Sequence, residues 1–124
     1  MKITEIIIRI LLGLMVLVFG LNKFLHFIPM PPHPGEAGEF MGALAKSGYI
    51  FPIVAIVEIV TGILLLINKY KALALIILFP VMLNAFLFHA FLDLPGIGAA
   101  AFAVIMNVFL MFRTKSSYNE LLKA

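Results

Sequence analysis

Four long apolar runs constrain this chain more than any other feature. They extend over residues 6–27, 49–67, 72–92 and 97–112. Each run is hydrophobic on all sides, and a helix needs about 20 mostly apolar residues to cross the hydrocarbon of a bilayer. The fourth run has only 16 residues, so we expect Arg113 and Lys115 to extend their side chains to the polar interface. The runs therefore predict four membrane-spanning helices.

The composition excludes other classes of protein. The chain has 124 residues, of which 64% are hydrophobic and 12% charged, whereas an average soluble domain is roughly 45–50% apolar and about 25% charged. A soluble monomer, a disordered chain and a nucleic-acid-binding protein therefore fit poorly. Four spans leave no room for a second domain, so we expect one membrane domain over residues 1–124. Cysteine is absent, so redox chemistry would need a bound cofactor or a partner.

The connections between the runs predict how the helices are arranged. Residues 68–71 and 93–96 are short enough to force antiparallel neighbours. The first connection is longer and begins with four prolines, which cannot continue a helix: Pro29, Pro31, Pro32 and Pro34. Residues 35–47 then have the spacing of a short amphipathic helix at the membrane surface, ended by Gly48. The predicted fold is an all-α, integral membrane, antiparallel four-helix bundle with a short interfacial helix in the first outer loop.

The distribution of basic residues predicts the orientation of the bundle. Seven of them lie on one side of the four-span arrangement: Lys2, Arg9, Lys69, Lys71, Arg113, Lys115 and Lys123. The other side has Lys46, with Lys23 inside the membrane near that end. Cytoplasmic loops favour Lys and Arg, so both termini should be cytoplasmic. The first run is too long for a signal peptide and lacks a small-x-small cleavage site, so we expect it to be retained.

A few polar side chains remain inside the predicted spans, and helical spacing organises them. Arg9, Gly13, Val16, Gly20, Lys23 and Phe27 form one stripe on the first helix, and Ala55, Glu58 and Gly62 form another on the second. Glycines on these stripes allow close approach of two backbones. Lys23 lies three residues from the outer end of its helix and Glu58 nine residues from the outer end of its own, a gap of roughly 9 Å. With some helix tilt, two long side chains could nearly close this gap, directly or through water.

Two interpretations of these polar residues stay open. In the first, Lys23 and Glu58 form the floor of a polar pocket, with Asn84 and Asn107 at similar depth and His26 and His89 nearer its mouth. In the second, which applies equally well to the charged pair, Lys23 and Glu58 hold two helices in register and the asparagines form interhelical hydrogen bonds. Arg9 is most simply an anchor that reaches lipid phosphate at the inner interface.

His89 and Asp93 lie four residues apart and share one face at the outer end of the third span. A carboxylate in this position can orient the imidazole, and His26 and His33 could complete a metal site. The spacing matches no zinc signature, so we interpret the pair as an interfacial hydrogen bond and predict no metal site.

The order and spacing of these motifs resemble a known family. Arg9-x3-Gly13, Phe19-Gly20-x2-Lys23, Glu58-x3-Gly62 and His89-x3-Asp93-Leu94-Pro95 look like the DoxX/DoxD group of small bacterial four-helix membrane proteins. Members of that group are linked to membrane redox systems, including a thiosulfate:quinone oxidoreductase and oxidative-stress enzymes. The resemblance implies a location in the bacterial cytoplasmic membrane.

The resemblance also suggests a role. We expect an accessory or quinone-associated subunit of a membrane redox system, with an oxidoreductase partner and a quinone near Lys23, Glu58, Asn84 and His89. Because the chain has no cysteine, soluble domain or nucleotide motif, we do not expect it to be catalytic on its own. A small transporter or lipid-binding protein and a purely structural scaffold are the alternatives. A homodimer could form through small residues of the fourth span, Gly98, Ala99, Ala100 and Ala101.

Overall fold

The computed structural model describes residues 2–29 and 33–123, so Pro31 and Pro32 lie outside the described residues. The described chain forms five α-helices: α1 (Lys2–Leu25), α2 (Gly35–Ser47), α3 (Ile50–Ile67), α4 (Lys71–Leu92) and α5 (Ile97–Arg113). Single 3₁₀ turns cover Leu94–Gly96 and Lys115–Tyr118, and the described residues contain no strand. Within them, α1, α3, α4 and the stretch Leu94–Arg113 are long and apolar enough to cross a membrane. The predicted all-α membrane fold is confirmed.

The four long helices form a closed ring. α1 packs most extensively against α3, and α4 against α5, while α3–α4 and α1–α5 contacts join the two pairs. We call the end of the bundle that carries α2 the α2 end, and the opposite end, where α1 begins and α5 ends, the terminal end. α2 lies across the α2 end, where it contacts α3 and α4.

Particular side chains and backbone conformations end the helices. α1 ends at Leu25, before the end of its apolar run, because His26 has a φ of 52°. The side chain of Asn22 fixes this turn, since its Oδ1 accepts a hydrogen bond from the Ile28 amide at 2.7 Å and its Nδ2 donates to the Ile28 carbonyl at 3.2 Å. α2 extends from Gly35 to Ser47 and is ended by Gly48, which has a φ of 81°, as the sequence predicts.

The backbones of α1 and α3 touch through glycines. A Cβ atom added at Gly62 would lie 2.9 Å from the carbonyl oxygen of Gly13, and one at Gly20 would lie 3.0 Å from the carbonyl oxygen of Ala55. Either distance is closer than ordinary van der Waals contact, so these positions have no room for a side chain. The two glycine stripes predicted from the sequence therefore form the contact between α1 and α3.

Leucine side chains fill the half of the bundle toward the terminal end. The most buried of them are Leu12, Leu65, Leu75, Leu78 and Leu110. The outer surfaces of the long helices carry exposed isoleucine, leucine and phenylalanine side chains, as expected for surfaces in contact with lipid. An apolar core therefore fills the interior of the ring in this half of the bundle.

Polar contacts join the helices at the terminal end. The Arg9 guanidinium donates to the carbonyl oxygens of Leu65 and Leu66, at the end of α3. Arg9 is thus engaged with α3, contrary to the expectation that it reaches out to lipid phosphate, because it lies on the same stripe of α1 as the glycines that face α3. An ion pair between Arg113 and Glu5 joins α5 to α1.

Candidate functional site

A buried ion pair connects α1 and α3. The Nζ atom of Lys23 lies 2.6 Å from Oε1 of Glu58, so the charged groups meet directly and no bridging water is needed. Gly20, one turn before Lys23, and Gly62, one turn after Glu58, bring the two backbones close enough for this contact. The stripes and antiparallel depths derived from the sequence predicted this pairing.

The two charges of the pair are buried to different extents. The side chain of Glu58 is 5% exposed, whereas that of Lys23 is 28% exposed. A lysine ammonium has three N–H donors, and Glu58 accepts from one of them. The pair therefore presents its cationic, hydrogen-bond-donating end to the neighbouring space and keeps its carboxylate covered.

That space is a cavity of about 800 Å³ between the α1/α3 and α4/α5 pairs. Lys23, Glu58, Asn84, His26 and His89 all line it, together with a majority of apolar and aromatic side chains. Four of the aromatic side chains are Phe19, Phe40, Phe51 and Phe88. The structure therefore brings together the four residues that the sequence suggested for a binding site, Lys23, Glu58, Asn84 and His89.

Asn107 is not part of this cavity. Its side chain is fully buried, and its Nδ2 donates to the carbonyl oxygen of Leu75 at 3.2 Å. Leu75 lies only four residues from the start of α4, at the terminal end. Asn107 is therefore farther from the α2 end than Glu58. The expectation that Asn107 lies at the depth of Glu58 is wrong. The 3₁₀ turn Leu94–Gly96 follows α4, so α5 begins farther from the α2 end than the point where α4 ends. Asn107 forms an interhelical hydrogen bond, as the second interpretation proposed.

Polar groups line the cavity at two levels. Glu58 lies eight residues into α3 and Asn84 eight residues before the end of α4, so both are about 12 Å from the α2 end. At intermediate depth the cavity is lined by apolar side chains such as Phe19, Val54 and Ala85. We call the level of Glu58 and Asn84 the floor of the cavity. The level of the histidines, which is nearer the α2 end, is its mouth.

Three side chains form a cluster at the mouth. Nδ1 of His89 lies 2.9 Å from Oδ2 of Asp93, and Nδ1 of His33 lies 3.6 Å from the same oxygen. The sequence predicted the His89–Asp93 contact, whereas it suggested His33 only as a possible metal ligand. Gly96 leaves room for the cluster, because a Cβ atom there would lie 2.6 Å from Cε1 of His89. Among residues 2–29 and 33–123, no group of three or more His, Asp or Glu side chains is placed to hold a metal ion.

Helix α2 covers the cavity from the α2 end. Ala37 is buried, and Met41 and Leu44 line the cavity. The ring of Phe40 stacks on that of Phe88 from α4, with centroids 5.7 Å apart. The apolar face of this short amphipathic helix therefore packs over the cavity. The hydrophobic spacing of the sequence is the same for a helix that packs over a cavity and for one that packs against lipid.

The small residues of α5 lie partly inside the bundle. Ala99 and Ala100 line the cavity, and Ala100 is buried. Gly98 has open space around it. A homodimer through α5 therefore stays a prediction, and two of the four residues named for it face the cavity.

Comparison with known proteins relates this geometry to one family. The family model described as DoxX matches residues 5–90, which include most of α1, all of α2 and α3, and most of α4. This stretch contains Lys23, Glu58, Asn84 and His89. No curated protein and no solved structure matches the chain.

Proposed function

The chain belongs to the DoxX family, and we propose that it is an accessory subunit of a membrane redox system that binds a quinone in the cavity beneath α2. The observation that carries the proposal is a buried ion pair whose lysine is partly exposed and lines an apolar, aromatic-lined cavity of about 800 Å³.

The size and lining of the cavity suit a small amphipathic ligand. Binding sites for small molecules are typically about 300–1,000 Å³, mostly apolar, with a few placed polar groups. Phe19, Phe51 and Phe88 provide aromatic surfaces for a flat ring. The remaining N–H groups of Lys23 suit a carbonyl oxygen. The charges of Lys23 and Glu58 cancel, which favours a ligand without net charge.

The apolar core favours binding over transport. Leu12, Leu65, Leu75 and Leu78 are fully buried between the cavity floor and the terminal end. A transported solute would have to displace this leucine layer, whereas a lipid-soluble ligand reaches a one-sided cavity without crossing it. We propose that a partner subunit supplies the electron donor or acceptor for the quinone, since the chain has no cysteine that could exchange electrons with it. Affinity purification in mild detergent would identify that subunit.

The orientation follows from the same basic residues that the sequence places at the terminal end. We propose that the terminal end faces the cytoplasm of a bacterium and that α2 lies on the opposite side of the cytoplasmic membrane. Alkaline phosphatase fused after Lys46 should be active and the same enzyme fused after Lys123 inactive. The reverse pattern would contradict this orientation.

The experiment that tests the binding proposal is thermal unfolding of the detergent-purified protein with and without a short-chain benzoquinone. A ligand at 100 times its Kd stabilises by about 2.7 kcal/mol, which should raise the Tm measurably. The double variant K23M/E58L removes both charges without stranding either, and it should lose the Tm increase while remaining folded. K69M removes a lysine from the connection at the terminal end and should keep the increase.

The same preparation provides a second measurement. Quinone extracted from the protein as purified should be detected by mass spectrometry and should be absent from K23M/E58L. If the unmodified protein shows no Tm increase and carries no quinone, the proposal is wrong, and the cavity belongs to another ligand or serves only packing.

A further inference from the structure

The cavity reaches the side of the bundle as well as its α2 end. We infer that it opens to the membrane interior between α3 and α4, and that the ligand enters there and leaves an apolar tail in the opening. The ligand class is therefore an amphiphile whose ring lies in the cavity and whose long tail stays in lipid. This inference rests on the proposed quinone-binding function.

Two cavity-lining residues of α4 are exposed on the bundle. Pro80 and Asn84 lie one turn apart, line the cavity and are both exposed, whereas Leu78 and Met82 of the same helix are buried. At 3.6 residues per turn, Pro80 lies about 160° around α4 from Leu78. Pro80 is thus on the outer side of the helix, so a cavity that it lines extends past the inner face of α4 to the lateral surface of the bundle.

The hydrogen bond between α5 and α4 indicates which side of α4 is open. Asn107 of α5 donates to the carbonyl oxygen of Leu75, and Asn84 lies about 180° around α4 from Leu75. Asn84 is therefore on the side of α4 away from α5 and toward α3, which is the other neighbour of α4 in the ring. Val54 lines the cavity from α3. The turn at residues 68–70 joins the two helices at the terminal end, so the opening lies in the half of the α3–α4 seam toward the α2 end.

The position of the opening determines what can pass through it. Asn84 lies eight residues before the end of α4, about 12 Å from the α2 end and inside a hydrocarbon layer about 30 Å thick. At the α2 end itself, α2 covers the cavity. Ile77 lies one turn beyond Pro80 toward the terminal end and is 46% exposed, so the outer surface continues as apolar side chains. The opening therefore admits an apolar chain from lipid and not a water-soluble ligand.

The volume of the cavity is a second reason for a tail outside it. A cavity of about 800 Å³ is within the range of sites for single small molecules. It has room for a substituted ring but not also for a tail of many isoprene units. A ligand with its ring near Lys23 and its tail in lipid therefore needs a sideways exit. The Asn84 amide at the edge of this exit would otherwise meet lipid, where an unpaired polar group is costly, and a ligand that occupies the opening covers it.

The test is photo-crosslinking of the protein in liposomes with a tailed quinone. The probe is a decyl-substituted para-benzoquinone with a diazirine in the middle of its tail. Labelling that excess decyl-benzoquinone removes is specific, whereas probe dissolved in lipid gives labelling that persists. Specific labelling should fall in residues 77–84 of α4 and residues 57–61 of α3. Specific labelling in α2 or in residues 97–103 of α5 would overturn the inference and leave the proposed function intact. A lack of specific labelling at every residue would overturn both.

Two tryptophan variants provide a matched comparison. N84W fills the opening, whereas L87W places the same side chain on the outer surface of α4, where Leu87 is 40% exposed and does not line the cavity. In equilibrium dialysis, N84W should weaken the binding of decyl-benzoquinone roughly tenfold, as expected for overpacking of an occupied space, and should retain the affinity for para-benzoquinone without a tail. L87W should bind both probes as the unmodified protein does. Equal affinities of the two variants for the tailed probe, or an equal loss for both probes in N84W, would overturn the inference.

Discussion

Replacing Gly62 by alanine should force α1 and α3 apart. The new Cβ atom would lie 2.9 Å from the Gly13 carbonyl oxygen and 3.0 Å from the Leu17 amide nitrogen, whereas ordinary contact begins at 3.4 Å. The shortfall is close to half an ångström against backbone atoms, which cannot rotate away as a flexible side chain would. Overpacking of this kind typically costs 1–3 kcal/mol.

Alanine also has a higher intrinsic helix propensity than glycine, by up to about 1 kcal/mol. A matched control separates this contribution from the packing cost. Gly98 lies in α5 with nothing within 4 Å of an added Cβ atom, so G98A gains helix propensity at no steric cost. The difference in unfolding free energy between G62A and G98A should therefore be about 1–3 kcal/mol, with G62A the less stable.

The measurement is SDS-driven unfolding in detergent micelles. Unfolding can be followed by energy transfer between dyes on two introduced cysteines, which the absence of native cysteine makes specific. If G62A and G98A have the same unfolding free energy within about 0.5 kcal/mol, α1 and α3 do not touch at this glycine.

Three further predictions concern stability measured by the same unfolding, and one of them adds a measurement of amide hydrogen exchange. K23M should destabilise the fold by about 3 kcal/mol because it strands the buried Glu58 carboxylate, and adding E58L should recover most of the loss; additive effects of the two substitutions would contradict the ion pair. R9Q should cost about 1–2 kcal/mol and speed amide exchange at the end of α3, whose carbonyls lose a charged donor; unchanged exchange would contradict this contact. Burial raises the pKa of Tyr118 above its ordinary value of about 10, so the stability that its neutral phenol provides is complete below that pH and is lost as pH rises through the folded-state pKa. Y118F, which loses the 2.7 Å hydrogen bond to the Ala72 carbonyl, should therefore show a flatter decline above pH 10 than the unmodified protein, and parallel curves would show the prediction wrong.

Much of the fold could be predicted because the bilayer restricts it so strongly. Apolar runs of the required length must be helices in lipid, and short connections must reverse them. The Lys23–Glu58 contact was predictable for the same reason, since helix period and antiparallel depth depend only on the backbone. Arg9 shared the stripe with Lys23, so its contact with α3 was also implied, although the membrane interface offered a simpler partner.

The remaining features depend on tertiary structure that periodicity does not encode. α2 covers a cavity, but its amphipathic spacing is equally compatible with a lipid surface. His33 follows a proline-rich segment without helical or strand period, so the sequence suggested it only as a possible member of a metal site with His89 and Asp93 and could not establish its contact with Asp93. The depth of Asn107 depends on where the 3₁₀ turn after α4 allows α5 to begin.

The order in which the paired charges enter the membrane is a consequence of the α1–α3 contact. Lys23 lies two residues from the end of α1, so during synthesis its flexible side chain can keep the ammonium in water at the surface until α3 is made. Glu58 lies at mid-depth, where a lone charge costs about 3 kcal/mol on insertion scales, and its side chain cannot keep the carboxylate in water at the surface. It is carried by the most apolar of the four spans, with a mean hydropathy of 2.7, and it arrives after its counter-ion. Lys23, whose charge can stay in water, therefore reaches the insertion machinery before Glu58, whose charge must be buried.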